Sequence, residues 1–219
     1  MSSVKLVAVS QPTIDGLTNA ESLVAFCARV SNPTNQMNEL TAQKLVQYLI
    51  KHKHWSPFEM VSVTVEIETT RDIARQILRH RSFSFQEFSQ RYADPTGDLG
   101  FSHREARLQD KKNRQNSIEL SQDDRKIAER WDQEQKFLLD NVKRSYDWAI
   151  KNGIAKEQAR AVLPEGLTNS RLYMAGTLRS WIHYCQLRCG LETQKEHREV
   201  AQDCWDILTK EFPSIIGVL

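Results

Sequence analysis

VSVTVEIETTRDIARQILRHR, residues 61–81, changes its period halfway along, and that change decides the architecture. Val61, Val63, Val65 and Ile67 alternate with Ser62, Thr64, Glu66 and Glu68, the pattern of a strand with one buried and one polar face. Thr69 and Thr70 can cap a helix, and beyond them Ile73, Ala74, Ile77 and Leu78 form a helical apolar stripe. Asp72, Arg75, Gln76 and Arg79 fall on the opposite side of that wheel. A strand that runs straight into an amphipathic helix is the centre from which the rest of the chain is read.

Working outward, residues 4–9 alternate as a second strand, while residues 19–30 and 38–52 carry helical spacing. Residues 82–92 form an aromatic and polar stretch, closed by the turn residues Asp94, Pro95, Thr96 and Gly97. Helical periodicity returns at residues 131–150, with Gly153 as terminator, and residues 155–163 read as a short helix stopped by Pro164. Residues 169–189 and 193–208 read as two further helices separated near Gly190. No internal repeat and no long linker divides the chain. The expectation is one α+β domain over residues 1–219, with several helices covering a small, largely antiparallel sheet. Within it, residues 97–130 are expected to form a charged, helical or mobile excursion: from 103 to 136, nine Lys/Arg mix with eight Asp/Glu.

Composition narrows the function classes. Thirty Lys+Arg against 28 Asp+Glu leave a formal charge of +2, too small an excess to support a general nucleic-acid binder. No apolar run approaches the roughly 20 residues needed to cross a bilayer, and residues 1–16 lack the apolar core of a secretion signal. Four scattered cysteines (Cys27, Cys185, Cys189, Cys204) do not make a disulfide scaffold; they read as reduced, mostly buried thiols of a cytoplasmic protein. His52, His54 and His80 come without an acidic ligand set, so no metal is expected.

The near-neutral total hides a local excess. Residues 71–91 hold Arg71, Arg75, Arg79, Arg81 and Arg91 against Asp72 and Glu87. Guanidinium forks donate paired hydrogen bonds to phosphates and to the carbonyl edges of planar heterocycles, and Gln76 both donates and accepts, as a uracil-like edge requires. Two readings follow from the chemistry: a site for one phosphorylated planar ligand, or an RNA- or DNA-binding module built on arginines and aromatics.

The residue order is more specific than the composition. Arg79-His80-Arg81, seven residues, then Ser89 resembles the R-H-R-x7-S signature of the flavin-dependent thymidylate synthases, a pattern expected by chance in roughly one chain in a thousand. Ala28-Arg29-Val30-Ser31, the run from His52 to Glu59, Ala159-Arg160-Ala161-Val162-Leu163-Pro164 and the run from Arg179 to Arg188 also look like that family. The resemblance spans residues 25–205 and is weakest across 97–130. It implies reductive methylation of dUMP to dTMP, with methylenetetrahydrofolate as carbon donor, bound FAD as hydride carrier and NADPH as its reductant. It also implies a homotetramer whose active sites are shared between subunits, with small-molecule substrates and neither nucleic acid nor membrane as a partner.

By position, the resemblance implies that Gln76, Arg79, Glu87, Phe88, Ser89, Gln90, Arg91, Arg160 and Arg188 bind dUMP. Ser31, Ser56, Arg79, His80, Arg81, Glu87, Thr177, Arg179 and His183 correspond to flavin-contacting positions, with His54 and Glu59 lining the flavin and folate region. Gln86 and Thr177 stand where many relatives carry Asn. Arg188 is the implied catalytic residue. Adding a one-carbon unit at C5 of uracil builds negative charge along N3 and O4, and a fixed guanidinium stabilises that charge without moving a proton.

Overall fold

The computed structural model describes residues 2–219. In chain order it forms β1 (Ser3–Val9), α1 (Ala20–Ala28), α2 (Ala42–Lys51), β2 (Ser62–Thr70), α3 (Arg71–Ile77), β3 (Ser84–Glu87) and the single turn α4 (Pro95–Asp98). There follow β4 (Arg107–Gln109), β5 (Ser117–Glu119), α5 (Arg125–Lys151), α6 (Lys156–Ala159), β6 (Asn169–Thr177), α7 (Leu178–Arg188) and α8 (Lys195–Glu211). The result is a mixed α/β chain with a small antiparallel sheet in the order β1-β2-β6-β3, and a separate β4-β5 hairpin.

Three expectations are corrected. Residues 169–177 form the strand β6 and not the start of a helix, so helix α7 begins only at Leu178. Ser170, Leu172 and Met174 are buried while Arg171 and Tyr173 are not, which is a period of two. That alternation is short and runs directly into the helical spacing of α7. The charged stretch 97–130 is helical only at its ends. The hairpin β4-β5 pairs Arg107 with Glu119, Leu108 with Ile118 and Gln109 with Ser117, and the long helix begins at Arg125. Opposite charges facing each other across the ladder suit a hairpin. Finally, Thr70 takes the N-cap position of α3 but its side chain caps nothing: its hydroxyl donates to Asp72 Oδ1 at 2.5 Å.

The chain packs as two compact units. The sheet unit comprises residues 3–67, 79–86 and 173–219, and the α5 unit residue 2 with residues 68–78 and 87–172. In the sheet unit the apolar face of β2 is sealed: Val61, Val63, Val65 and Ile67 are no more than 1% exposed. Burying each such side chain contributes about 1.5–3 kcal/mol. Trp181 of α7 lies in the same core and donates its indole N–H to the Val63 carbonyl at 3.0 Å, which fixes α7 on β2. Phe83 packs edge-on to Trp181, with ring centres 4.8 Å apart. Gly176 makes room for that ring, since a Cβ there would stand 2.4 Å from Phe83 Cδ1.

On α8, His197 is fully buried and its Nε2 lies 3.1 Å from the hydroxyl of Tyr184 on α7. Burial, with the charge of Arg188 and the neighbouring His80, pushes the His197 imidazole down to about 3. Here an imidazole is part of the core.

In the α5 unit, one face of α5 buries Val142, Tyr146 and Ala149 against Ala159 and Leu163, with Phe101 and Ile150 at the margin. Gly153, at φ +80, ends the helix as its sequence suggests. Arg104 anchors the charged stretch. Its guanidinium donates to the Gly166 carbonyl at 3.1 Å, to Asp72 at 2.6 Å and to the Thr70 hydroxyl, while Gln135 receives its backbone N–H.

Gly176→Ala is expected to lower stability by about 1–3 kcal/mol, because the ring of Phe83 must leave its slot. For a chain of this size each kcal/mol is about 2–4 °C in the thermal midpoint. A differential scan of that variant, alone and with Phe83→Leu to reopen the space, reads the effect. The buried imidazole also sets a pH dependence. The unfolded chain binds a proton at His197 near pH 6.5 and the folded chain only near 3, so stability falls as pH drops through that window. Urea midpoints at pH 7.5 and pH 5 are expected to differ less in His197→Gln than in the parent chain.

Candidate active site

The turn after α3 exists because the helix stops early. Leu78 is the C-cap, so Arg79, His80 and Arg81 lie in the turn that leads to β3 and not on the helix face assigned to Arg79 by the wheel. Arg79 and Arg81 are exposed and carry no ion pair among the described residues. Two uncompensated guanidinium groups two positions apart suit an anionic ligand such as the diphosphate of a dinucleotide.

In the sheet unit His80 points the other way, inward. Arg188, the last residue of α7, donates its Nε–H to His80 Nε2 at 3.0 Å. The His80 ring stands edge-on to Tyr184 with centres 4.9 Å apart. Burial first, then the charges of Arg188, His183 and Arg79, push the His80 imidazole down to about 4, so it is neutral at physiological pH.

The same unit holds a cleft of about 450 Å³ lined by Trp55, Glu59, Ser82, Arg179, Ser180, Ile182, His183 and Gln186. Glu59 and Arg179 form an ion pair across it. Three of the residues expected near flavin and folate, Glu59, Arg179 and His183, are therefore brought together. Trp55, Ser82 and Gln186 join them; Trp55 lies in the run from His52 to Glu59, Gln186 in the run from Arg179 to Arg188, and Ser82 directly after Arg81 in the signature, but the resemblance implies no role for them. Ser31, Ser56 and His54 belong to the same unit and are exposed, with His54 edge-on to Tyr48 at 6.3 Å. Thr177 has a second duty: its hydroxyl oxygen accepts the Ser180 N–H at 3.3 Å and caps α7.

The α5 unit holds Gln76 and the run from Glu87 to Arg91, together with Arg160. Glu87 is already engaged. Ser170 donates to its Oε1 at 2.8 Å, the buried Arg71 lies 3.5 Å from the same oxygen, and Arg75 lies 3.3 Å from Oε2. Its carboxylate holds the start of the loop in place, and the Phe88 N–H donates to the Arg171 carbonyl at 2.8 Å. Next in the loop, Gln90 is 4% exposed and its side-chain N–H₂ has no acceptor among the described residues. A buried donor left unsatisfied costs about 1–3 kcal/mol, so it marks a place where a ligand acceptor belongs. A carbonyl-bearing base meets that need. Arg91, beside it, is exposed and 3.6 Å from Glu157, while Arg160 follows Glu157 by three residues.

The two buried cysteines offer no nucleophile, whereas a hydrogen bond from Cys185 lowers the pKa of the partly exposed Cys189 thiol. Burial pushes the Cys185 and Cys204 thiols well above their ordinary range, and all four cysteines are free. No group of three metal-ligating side chains converges among the described residues. No described helix is long and apolar enough to cross a membrane.

Comparison with known proteins matches this geometry to one family. The family model for the thymidylate synthase complementing protein matches residues 13–214. A probable flavin-dependent thymidylate synthase of Paramecium bursaria Chlorella virus 1 is 49% identical over 217 residues, covering 99% of this chain and 98% of the relative. The flavin-dependent thymidylate synthase of Synechocystis sp. is 47% identical over 220 residues, with 99% and 98% covered. Among solved structures, a UMP/dUMP methylase from Streptomyces cacaoi bound with 5-Br dUMP superposes with a TM-score of 0.78 at 26% identity, covering all of this chain and 94% of that one. With identity this high along nearly the whole chain, and with the signature turn and the cleft in place, the chain belongs to the family of flavin-dependent thymidylate synthases.

Proposed function

We propose that the chain catalyses the reductive methylation of dUMP to dTMP, with methylenetetrahydrofolate as the carbon donor. The observation that carries this reading is the near-full-length identity with flavin-dependent relatives. Bound FAD, reduced by NADPH, supplies the hydride. The residues supply binding, orientation and charge stabilisation.

In this reading Arg91 and Arg160 hold the nucleotide phosphate, and the unsatisfied Gln90 amide with the Ser89 hydroxyl meets the uracil edge. Gln76, Arg79 and Phe88 complete the nucleotide contacts. Glu87 contributes by fixing the loop, since both its oxygens already accept hydrogen bonds. Arg79 and Arg81 neutralise the diphosphate of the flavin. Arg179, His183 and Thr177 line the flavin, with Ser31 and Ser56 at its periphery, and His54 and Glu59 face the folate. Arg188 stabilises the negative charge that grows on the ring as C5 attacks the one-carbon unit. A preorganised donor of this kind typically accounts for 10²–10³ in rate.

The enzyme acts as a cytoplasmic homotetramer with sites shared between subunits. Phe137 and Trp148 of α5, 70% and 61% exposed, support that part of the reading, because aromatic residues are enriched at protein interfaces.

The purified protein is expected to carry an oxidised-flavin absorbance spectrum, or to acquire it with FAD. Anaerobic reoxidation of the reduced protein with dUMP and methylenetetrahydrofolate is expected to yield dTMP. A colourless protein that ignores FAD but shifts oligonucleotides would instead favour the nucleic-acid module. Arg91→Ala removes one charge-assisted hydrogen bond, worth about 1.5–3 kcal/mol, and is expected to weaken dUMP binding about 10- to 100-fold. Calorimetric titration with dUMP checks it; unchanged affinity would place the phosphate elsewhere.

A further inference from the structure

We propose that His80 is a positioning residue for Arg188: it works as a neutral hydrogen-bond acceptor that aims the guanidinium. The proposal rests on the reading of Arg188 as the group that stabilises the uracil charge.

The chemistry of the two partners leaves one arrangement. An arginine Nε carries a hydrogen and no lone pair, so it only donates. At 3.0 Å from it, His80 Nε2 must present a lone pair, which places the ring proton on Nδ1. The tautomer is therefore set by the arginine. The surroundings favour the same state. Arg79, His183 and Arg188 place positive charge around the ring, and no carboxylate is among the groups that shift its proton affinity. Phe83 and Tyr184 stand edge-on to the ring and His197 lies 6.4 Å away, so its orientation is held by packing.

The consequence falls on the arginine. Arg188 is at the C-terminal end of α7, half-buried, on a long side chain with many rotamers to lose. The bond to His80 is its one hydrogen bond to the protein among the described residues. It uses Nε alone and leaves both terminal nitrogens, the fork that recognises a planar edge, for the substrate. A donor that stabilises a developing charge is effective only if it is in place before the charge appears. His80 supplies that preorganisation from a ring that is itself locked. A misplacement of about 1 Å costs on the order of 10²-fold in rate.

Four variants test this. His80→Gln offers an amide oxygen near the place of Nε2, whereas His80→Phe keeps the ring volume without an acceptor. His80→Phe is expected to lower kcat for dTMP formation by roughly 10- to 100-fold, with dUMP KM and FAD affinity within about twofold of the parent. His80→Gln is expected to recover a substantial part of that loss. Arg188→Lys has no N–H at the ε position and already cuts the link, so adding His80→Phe to it is expected to cost less than about twofold further, where independent roles would multiply. Full dTMP formation by Arg188→Lys would overturn the reading of Arg188 itself. If Arg188→Lys is impaired and the two substitutions multiply, or if Gln and Phe at position 80 behave alike, the positioning role is overturned. Loss of activity that tracks loss of bound FAD would return His80 to the flavin. Thermal midpoints of the holoenzymes separate these outcomes from misfolding, and the Gln variant remains informative if the Phe variant does not fold.

Discussion

The alternation of Val61, Val63, Val65 and Ile67 imposes the constraint on which the sheet unit is built. A strand with four large apolar groups on one face must be covered along its whole length, and all four are essentially removed from water. Trp181 does part of that covering and spends its one polar group on the Val63 carbonyl, which fixes where α7 lies. Once α7 is fixed, the positions of Thr177, Arg179, His183 and Arg188 along it are fixed too. The candidate site residues on this helix are thus placed by the burial of an apolar strand face.

The arginine-rich segment is divided by environment. Arg71 is buried and Arg75 is exposed, yet both lie against the Glu87 carboxylate and serve the loop's position. Arg79 and Arg81 remain uncompensated. Breaking a buried pair of this kind is costly because it strands a charge, so Arg71 and Glu87 hold the loop as a set. Residues that look equivalent in composition are split by the fold into those that build the site and those left for a ligand.

Histidines are divided in the same way. His197 is core, held by the Tyr184 hydroxyl. His54 is on the surface against Tyr48. His80 lies between these extremes, half-buried and bonded to a cation. Residue type alone does not tell the three apart. Burial and the identity of the partner atom separate them, and neither can be read from a residue type.

Much was legible in the order of residues. The change of period at Thr70, the helices around Leu23, Leu45 and Val142, the stop at Gly153 and the R-H-R-x7-S signature are local properties, set by side-chain spacing and backbone preference within one or two turns. Residues 169–177 were not legible, because their strand character depends on pairing with β2 and β3, which lie about a hundred residues away in sequence. The hairpin at 107–119 was hidden for the same reason, since its residues are polar or charged apart from Leu108 and Ile118 and show no apolar period. The sequence by itself determined the family, the chemistry of the signature and the strand at its centre. Only the tertiary structure decided that Glu87 is a strut, that the Gln90 amide lacks an acceptor, and that His80 meets Arg188 as a neutral ring. Each of these depends on which atoms long-range packing brings within hydrogen-bond distance.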